Sequence, residues 1–454
     1  MESGEVINVV DVRSTSQLWR RLFGLAWPAI VGNVVHSAVY MIEIALVGRL
    51  GADAISAAGV SNELAFFVLA PIGGLSVGGL ALVARAVGRR DQTDLINVTR
   101  AVLLLACAAS VVFMVLMLTS IEGILQLISV DPQVVTIAVP YAQWFGVIHI
   151  GSIFMLTVTN LLRGIGDTRS PMIAFAIQAF VTGVVGYVLV FDTFGVTGLG
   201  VLSIAVAAGV SRIAACGYLW LVLRRSPLGF GLWAEVSVPP KAMRRVIRTG
   251  GPAALEEAVK GAGKLILSIA AIQFGSVAYA AYRIVGVPIS ITFLSTVGMG
   301  LAVATMVGQS LGANHPHLAQ RYIVAGLMGG FILTIVPGIV FFLIPAQVLT
   351  LLTTDVRVVE VAESPLRILG IAVVFNAVGN VLPAALRGAG DTKAMMVVGF
   401  LSIWVARVPV ALALAFGAGQ GILGLWMGHA AEILFRSGGA LVRFKSNNWH
   451  HPDL

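Results

Sequence analysis

Charge is what this sequence has least of. Asp, Glu, Lys and Arg supply 11% of its 454 residues, where soluble domains carry roughly 25%. With 58% hydrophobic residues and a mean hydropathy of +0.95, the chain reads as a polytopic membrane protein, and a soluble enzyme on an anchor is excluded. Cysteine is almost absent: Cys107 and Cys216 each lie inside an apolar run, so no disulfide framework is expected. Alternating strand-like patterning is missing too. A bilayer admits only helices or closed barrels, and uninterrupted apolar runs of about 20 residues select helices. No HExxH, CxxC, His-cluster or Walker A pattern occurs, so no metal site, cofactor or built-in ATPase is expected. The pI near 9.9 does not imply nucleic acid, because the basic residues fall in short loops beside the apolar runs.

What is present is a repeat. Leu162-Arg163-Gly164-Ile165-Gly166-Asp167-Thr168 returns 224 positions later as Leu386-Arg387-Gly388-Ala389-Gly390-Asp391-Thr392. Each copy sits between apolar runs and reads as a tight turn between membrane helices. The glycines allow positive φ, Asp167 or Thr168 can cap the next helix, and Arg163 and Arg387 suit a last helical turn near anionic lipid. Pro28 and Pro252, Gly51 and Gly275, Gly88 and Gly312, and Gly146 and Gly370 keep the same offset. Five pairs at one spacing indicate an internal duplication.

Breaking the chain at charges and Gly/Pro clusters gives twelve spans: 22–47, 55–84, 96–118, 134–161, 170–190, 197–223, 246–273, 277–308, 322–345, 359–385, 395–416 and 421–441. The expected architecture is an all-α integral membrane protein with two six-helix lobes, 22–223 and 246–441. A basic linker, 224–245, joins them, and the tails are 1–21 and 442–454. Of 29 Lys and Arg residues, 21 fall on the side shared by the termini, the linker and both repeated turns; two, Arg49 and Arg357, fall in loops opposite. The positive-inside rule then places both termini in the cytoplasm of a cell-membrane protein. An even number of spans per lobe puts the symmetry axis along the membrane normal.

Ionisable groups at membrane depth cost about 2.5–3.5 kcal/mol or more, so each needs a reason. Glu43 lies 15 residues past Pro28, about 22 Å along the helix at 1.5 Å per residue. Asn33, His36, Tyr40 and Glu43 form a polar stripe on one helix face, which must meet a cavity or another helix. Glu43 is either a hydrogen-bonded structural acid or a proton or cation site, since desolvation favours the neutral carboxyl. Glu256, Glu257, Lys260 and Lys264 are spaced to pair along their own helix, or else to line a wet wall that binds substrate or ion. Arg407 can pair with Glu432, and Glu363 with Arg367. Glu63 and Arg283 have no evident partner.

These residues resemble the MATE family, the multidrug and toxic compound extrusion transporters. The likeness rests on Trp27-Pro28, Glu43-Ile44-Ala45-Leu46-Val47-Gly48 and Ala84-Arg85-Ala86-Val87-Gly88. It also rests on both LRGxGDT turns, on Val307-Gly308-Gln309-Ser310-Leu311-Gly312-Ala313 and on Arg407-Val408-Pro409. It implies two six-helix lobes around a V-shaped cavity, with efflux driven by a proton or sodium gradient. In the DinF-type branch an acid fifteen residues after the first proline is implicated in proton coupling, and Glu43 holds that place. Thr182 and Gly186 stand where that branch often has Asn and Asp. Lys260 falls where NorM-type members carry an acid in a sodium site, which disfavours Na⁺. The expectation is a monomeric, lipid-embedded antiporter that exports amphipathic, cationic small molecules in exchange for protons. Glu43 couples, Asn33, His36, Tyr40, Glu256, Glu257 and Lys260 line the cavity, and Pro28 is the hinge. The alternatives are a lipid-intermediate flippase and sodium-coupled efflux.

Overall fold

The computed structural model describes residues 14–47, 49, 52–123, 132–191, 202–229, 238–446 and 449. Gly51, the side chain of Glu63, linker residues 230–237 and most of both tails lie outside the described residues.

Twelve long helices run through the described chain. The first half holds α1 Thr15–Val47, α2 Ala52–Arg89, α3 Gln92–Thr119, α4 Pro132–Gly164, α5 Arg169–Val190 and α6 Leu202–Arg225. The second holds α7 Pro240–Ile272, α8 Ser276–Gly312, α9 Pro316–Leu343, α10 at 356–388, α11 Thr392–Gly417 and α12 Gly421–Lys445, with a short helix Pro345–Thr350 before α10. The bounds of α3 and α9, and of α4 and α10, differ by 224 at both ends. Nine of these helices are long and apolar enough to cross a bilayer. The bent α10, broken by 52° after Phe375, makes a tenth. The other two, α7 and α12, are diluted by Glu256, Glu257, Lys260 and Lys264 and by His429, Glu432 and Arg436. The α7 helix starts earlier than the span boundary at 246, with Pro240 in its first turn, where a missing N–H costs nothing.

Both repeated turns have the expected geometry. Gly166 and Gly390 take φ of 95° and 89°, values an L side chain rarely adopts. The Asp167 carboxylate accepts the Ser170 N–H at 2.9 Å, capping α5.

The halves exchange their helix starts. Leu18, Leu22, Leu25 and Ala26, before Pro28, pack in a core with Met299, Val303 and Tyr322 of the second half. Ala242 and Val246, before Pro252, pack with Leu82, Val98 and Leu162 of the first. Each proline therefore lies where a helix passes from the opposite half into its own. Below these crossings, α2 and α8 meet so closely that a Cβ on Gly88 would overlap the Gln309 carbonyl, and one on Gly312 the Arg85 carbonyl. Positions 85 and 309 are themselves 224 apart. Arg85 Nη2 donates to the Ala389 carbonyl at 2.6 Å and Gln309 Nε2 to the Gly164 carbonyl at 3.0 Å. Thr305 Oγ1 donates to the Arg163 carbonyl at 2.9 Å. Each repeated turn is thus clasped by a polar side chain of the other half. Buried carbonyls satisfied this way make the junction at the basic face specific as well as tight.

Candidate functional site

Helical geometry decides what α1 presents to each side. Gly298 of α8 packs on the backbone of Ile30, and Met172 and Phe175 of α5 pack on Gly32. Residues along the Ile30 line therefore face the other half, and those along the Gly32 line face the interior of their own. Tyr40 lies midway between the two lines and is 45% exposed. His36 is exposed and its ring lies tilted against that of Phe175, with centroids 4.5 Å apart. Glu43, at the end of the stripe, turns inward and is 6% exposed.

Glu43 is not alone there. Arg212 Nη1 lies 3.3 Å from its Oε1. The same guanidinium donates from Nε to Ser152 Oγ at 2.7 Å and from Nη1 to the Ala208 carbonyl at 3.1 Å. No helical spacing relates Arg212 to Glu43, 169 positions earlier. The signal that could have singled it out is the repeat, because Arg436 stands 224 positions on. On α5, Gln178 and Thr182 follow Phe175 along the face turned to α1. Thr182 Oγ1 is buried without a hydrogen-bond partner among the described residues. A buried polar atom left so costs about 1–3 kcal/mol, which suits a small chamber holding water or a ligand group.

The expectation for Arg163 and Arg387 needs correction. Both were read as helix-end cations facing the lipid surface. Arg163 is buried and donates from Nη2 to Asn33 Oδ1 at 3.1 Å. Arg387 Nη2 lies 2.6 Å from Glu256 Oε1. The reason is steric: Gly164 and Gly388 bring each turn against α2 or α8, leaving the preceding arginine no path outward.

In the second half, Glu256 is 1% exposed and packs on Gly399 of α11, away from the junction with α2. Lys260 Nζ reaches Glu256 at 2.9 Å and Glu257 at 2.7 Å, as the helical spacing implied. Glu257 and Lys260 are half-buried and continue the α7 face that meets α2 at Gly250 and Ala253. Arg407 pairs with Glu432 at 2.8 Å, and Arg436 reaches the other oxygen at 3.2 Å. A π-helical stretch, Ser402–Arg407, ends at that arginine. Glu363 and Arg367 pair at 2.7 Å on the surface.

This arrangement is a duplicated bundle with ion pairs in both halves. The family model MatE matches residues 28–189 and again 252–413, two segments offset by the same 224 positions. The chain belongs to the MATE family. The probable multidrug resistance protein NorM of Thermotoga maritima is 30% identical over 97% of this chain and 95% of its own. The probable multidrug resistance protein YoeA of Bacillus subtilis is 26% identical over 95% of each. Among solved structures, the Vibrio cholerae MATE transporter VcmN in its bent form superposes with a TM-score of 0.86 at 16% identity, over 96% of this chain and 99% of that one. A MOP superfamily transporter of Pyrococcus furiosus, described as having a binding pocket of reverse polarity, superposes at 0.89 with 19% identity over 99% of both chains. The fold is therefore the twelve-helix, two-lobe MATE fold, and this MATE protein is a multidrug-efflux-type transporter rather than an enzyme.

Proposed function

We propose that this MATE protein is a proton-coupled antiporter of the cell membrane, with both termini cytoplasmic, and that it exports amphipathic cations as a monomer. Glu43 is the coupling carboxyl. The observation that carries this reading is the Glu43–Arg212 pair, buried at 3.3 Å in a lobe where Thr182 Oγ1 of α5 is also buried without a hydrogen-bond partner among the described residues. Arg212 keeps two other acceptors, Ser152 and the Ala208 carbonyl, so it stays anchored when Glu43 is protonated. A proton and a cationic substrate then compete with Arg212 for one carboxylate. Exchange follows if the two conformations differ in their affinity for each. The hinge is assigned to Pro28, where α1 leaves the second half's core and where the Gly24 carbonyl lacks its helical donor. Asn33, His36 and Tyr40 form the α1 wall of the cavity, and Glu257 and Lys260 the α7 wall. Glu256 backs that wall from inside the second lobe.

Sodium coupling in the second lobe is disfavoured because a cation already sits there: Lys260 and Arg387 occupy the Glu256 carboxylate. Glu43 also favours a place nearer the DinF-type branch. The flippase alternative draws on the excess of cations over carboxylates inside the lobes. Most of those arginines, however, are held by Glu43, Asn33, Glu256 and Glu432 and do not face a substrate.

Proteoliposome efflux under separately imposed pH and Na⁺ gradients tests the reading. Glu43→Gln should lose pH-driven efflux by at least about tenfold while the protein stays folded, since Gln keeps the volume and one acceptor. Glu43→Asp should retain part of it with a shifted pH optimum. Undiminished proton-driven transport by the Gln variant would remove Glu43 from the mechanism.

A further inference from the structure

On the basic face, a cavity of about 430 Å³ opens between the start of α1 and the first repeated turn. Its polar lining is Arg20, Arg21, Asp167, Thr168 and Arg169, and Met306 of the second half closes it. The Thr168 hydroxyl is the informative atom. The residue lines the cavity and is 2% exposed, and its Oγ1 has no hydrogen-bond partner among the described residues. Capping of α5 falls to Asp167 instead, so the hydroxyl has no structural duty. Among the described residues, no carboxylate lies within ion-pair distance of Arg20 or Arg169.

The repeat sharpens this. Arg20, Arg21 and Arg169 recur at the 224 offset as Arg244, Arg245 and Lys393. In the second copy, Arg245 is taken up by Asp94, at 2.7 and 3.2 Å. The residue 224 positions after Asp94 is Leu318, so the first copy has no such acid. Duplication kept the cations in both places and gave one of them, Arg245, an acid in the second copy alone. Guanidinium groups with an orphan hydroxyl at the start of a helix are donors matched to phosphate oxygens. The Asp167 carboxylate adds a negative neighbour, which disfavours a doubly charged phosphate and leaves a singly charged phosphodiester the better fit. Phe23, Trp27 and Val31 are exposed and continue Arg20's side of α1, an apolar track along which acyl chains can lie.

We propose that this cavity binds the phosphodiester headgroup of an anionic phospholipid, held by Arg20, Arg169 and the Thr168 hydroxyl. Because Met306 comes from the opposite half, an occupied site braces the junction between the halves.

Native mass spectrometry of the full chain, with phosphatidylglycerol or phosphatidylcholine added separately, tests binding without reference to transport. Phosphatidylglycerol should bind preferentially. Thr168→Val, which keeps shape and charge, should weaken that binding severalfold, and Arg20→Gln with Arg169→Gln should weaken it at least about tenfold. Arg225→Gln, a basic residue of the same face outside the cavity, should leave it unchanged. Phosphatidylglycerol binding unaltered in both the Thr168 and the double-arginine variants would overturn the site. Competition by equimolar inorganic phosphate would overturn the lipid assignment in favour of a soluble anion. An equal loss with Arg225→Gln would reduce the effect to general surface charge.

Discussion

The two lobes share two buried arginine positions and differ in their acids and in the cations set beside them. Arg163 and Arg387 hold equivalent positions, as do Arg212 and Arg436. In the first lobe Arg163 meets a neutral amide, Asn33, and Arg212 meets a single carboxylate at 3.3 Å. In the second, Glu256 is gripped by Lys260 and Arg387, and Glu432 by Arg407 and Arg436. A buried carboxylate between two cations is more fully compensated than one beside a single cation. The comparison teaches that duplication kept two arginines in both lobes, whereas Lys260 and Arg407 join the acids of the second lobe only, His36 and Gly183 standing 224 positions before them. On the proposed reading, the second lobe's pairs brace the bundle and the first lobe's pair is the one that exchanges.

The hardest blow to that contrast should be structural. Glu432→Ala leaves Arg407 and Arg436 buried together without an anion, an expected loss of about 3–5 kcal/mol. This should appear as a large drop in thermal midpoint or in monodisperse yield after solubilisation. Glu43→Gln should cost much less by the same assay, because Arg212 retains two acceptors. Equal losses would dissolve the distinction between a working pair and a bracing one.

A finer comparison sets the repeated turns against each other. Arg387→Gln breaks a charge-assisted contact of 2.6 Å, and Arg163→Gln a charge-to-amide contact of 3.1 Å. The first should destabilise by about 2–3 kcal/mol and the second by roughly 1. Parallel melts of the two variants check the order, and the reverse order would mean that the turns, not the acids, set the difference. The smallest effect belongs to the exposed Glu363–Arg367 pair. Glu363→Gln should shift stability by less than about 1 kcal/mol, and a larger shift would show that exposed pairs of the second lobe also brace it.

Several features were legible without coordinates because each rests on local chemistry. Apolar runs long enough for a bilayer define helices, since no other open structure satisfies its backbone in lipid. The 224-residue offset gave the two lobes, and it holds to the residue for α3 and α9. Spacings of three and four residues paired Lys260 with Glu256 and Glu257. The Glu363–Arg367 contact is equally local. The Glu43 stripe, too, could be seen to need a polar neighbour, because its periodicity is a property of one helix.

What only the tertiary structure decided is which distant groups meet. Arg212 is 169 positions from Glu43, and Arg387 is 131 from Glu256; no periodicity within one helix relates them. The inward turn of Arg163 and Arg387 depends on how closely Gly164 and Gly388 let each turn approach the neighbouring helices. The clasp of each turn by Arg85 or Gln309 depends on how the halves cross. The sequence determined the helices, their repetition and the residues that could not face lipid. The packing of one half against the other determined their partners, because burial of a charge is settled by whichever opposite charge or carbonyl the fold brings within reach.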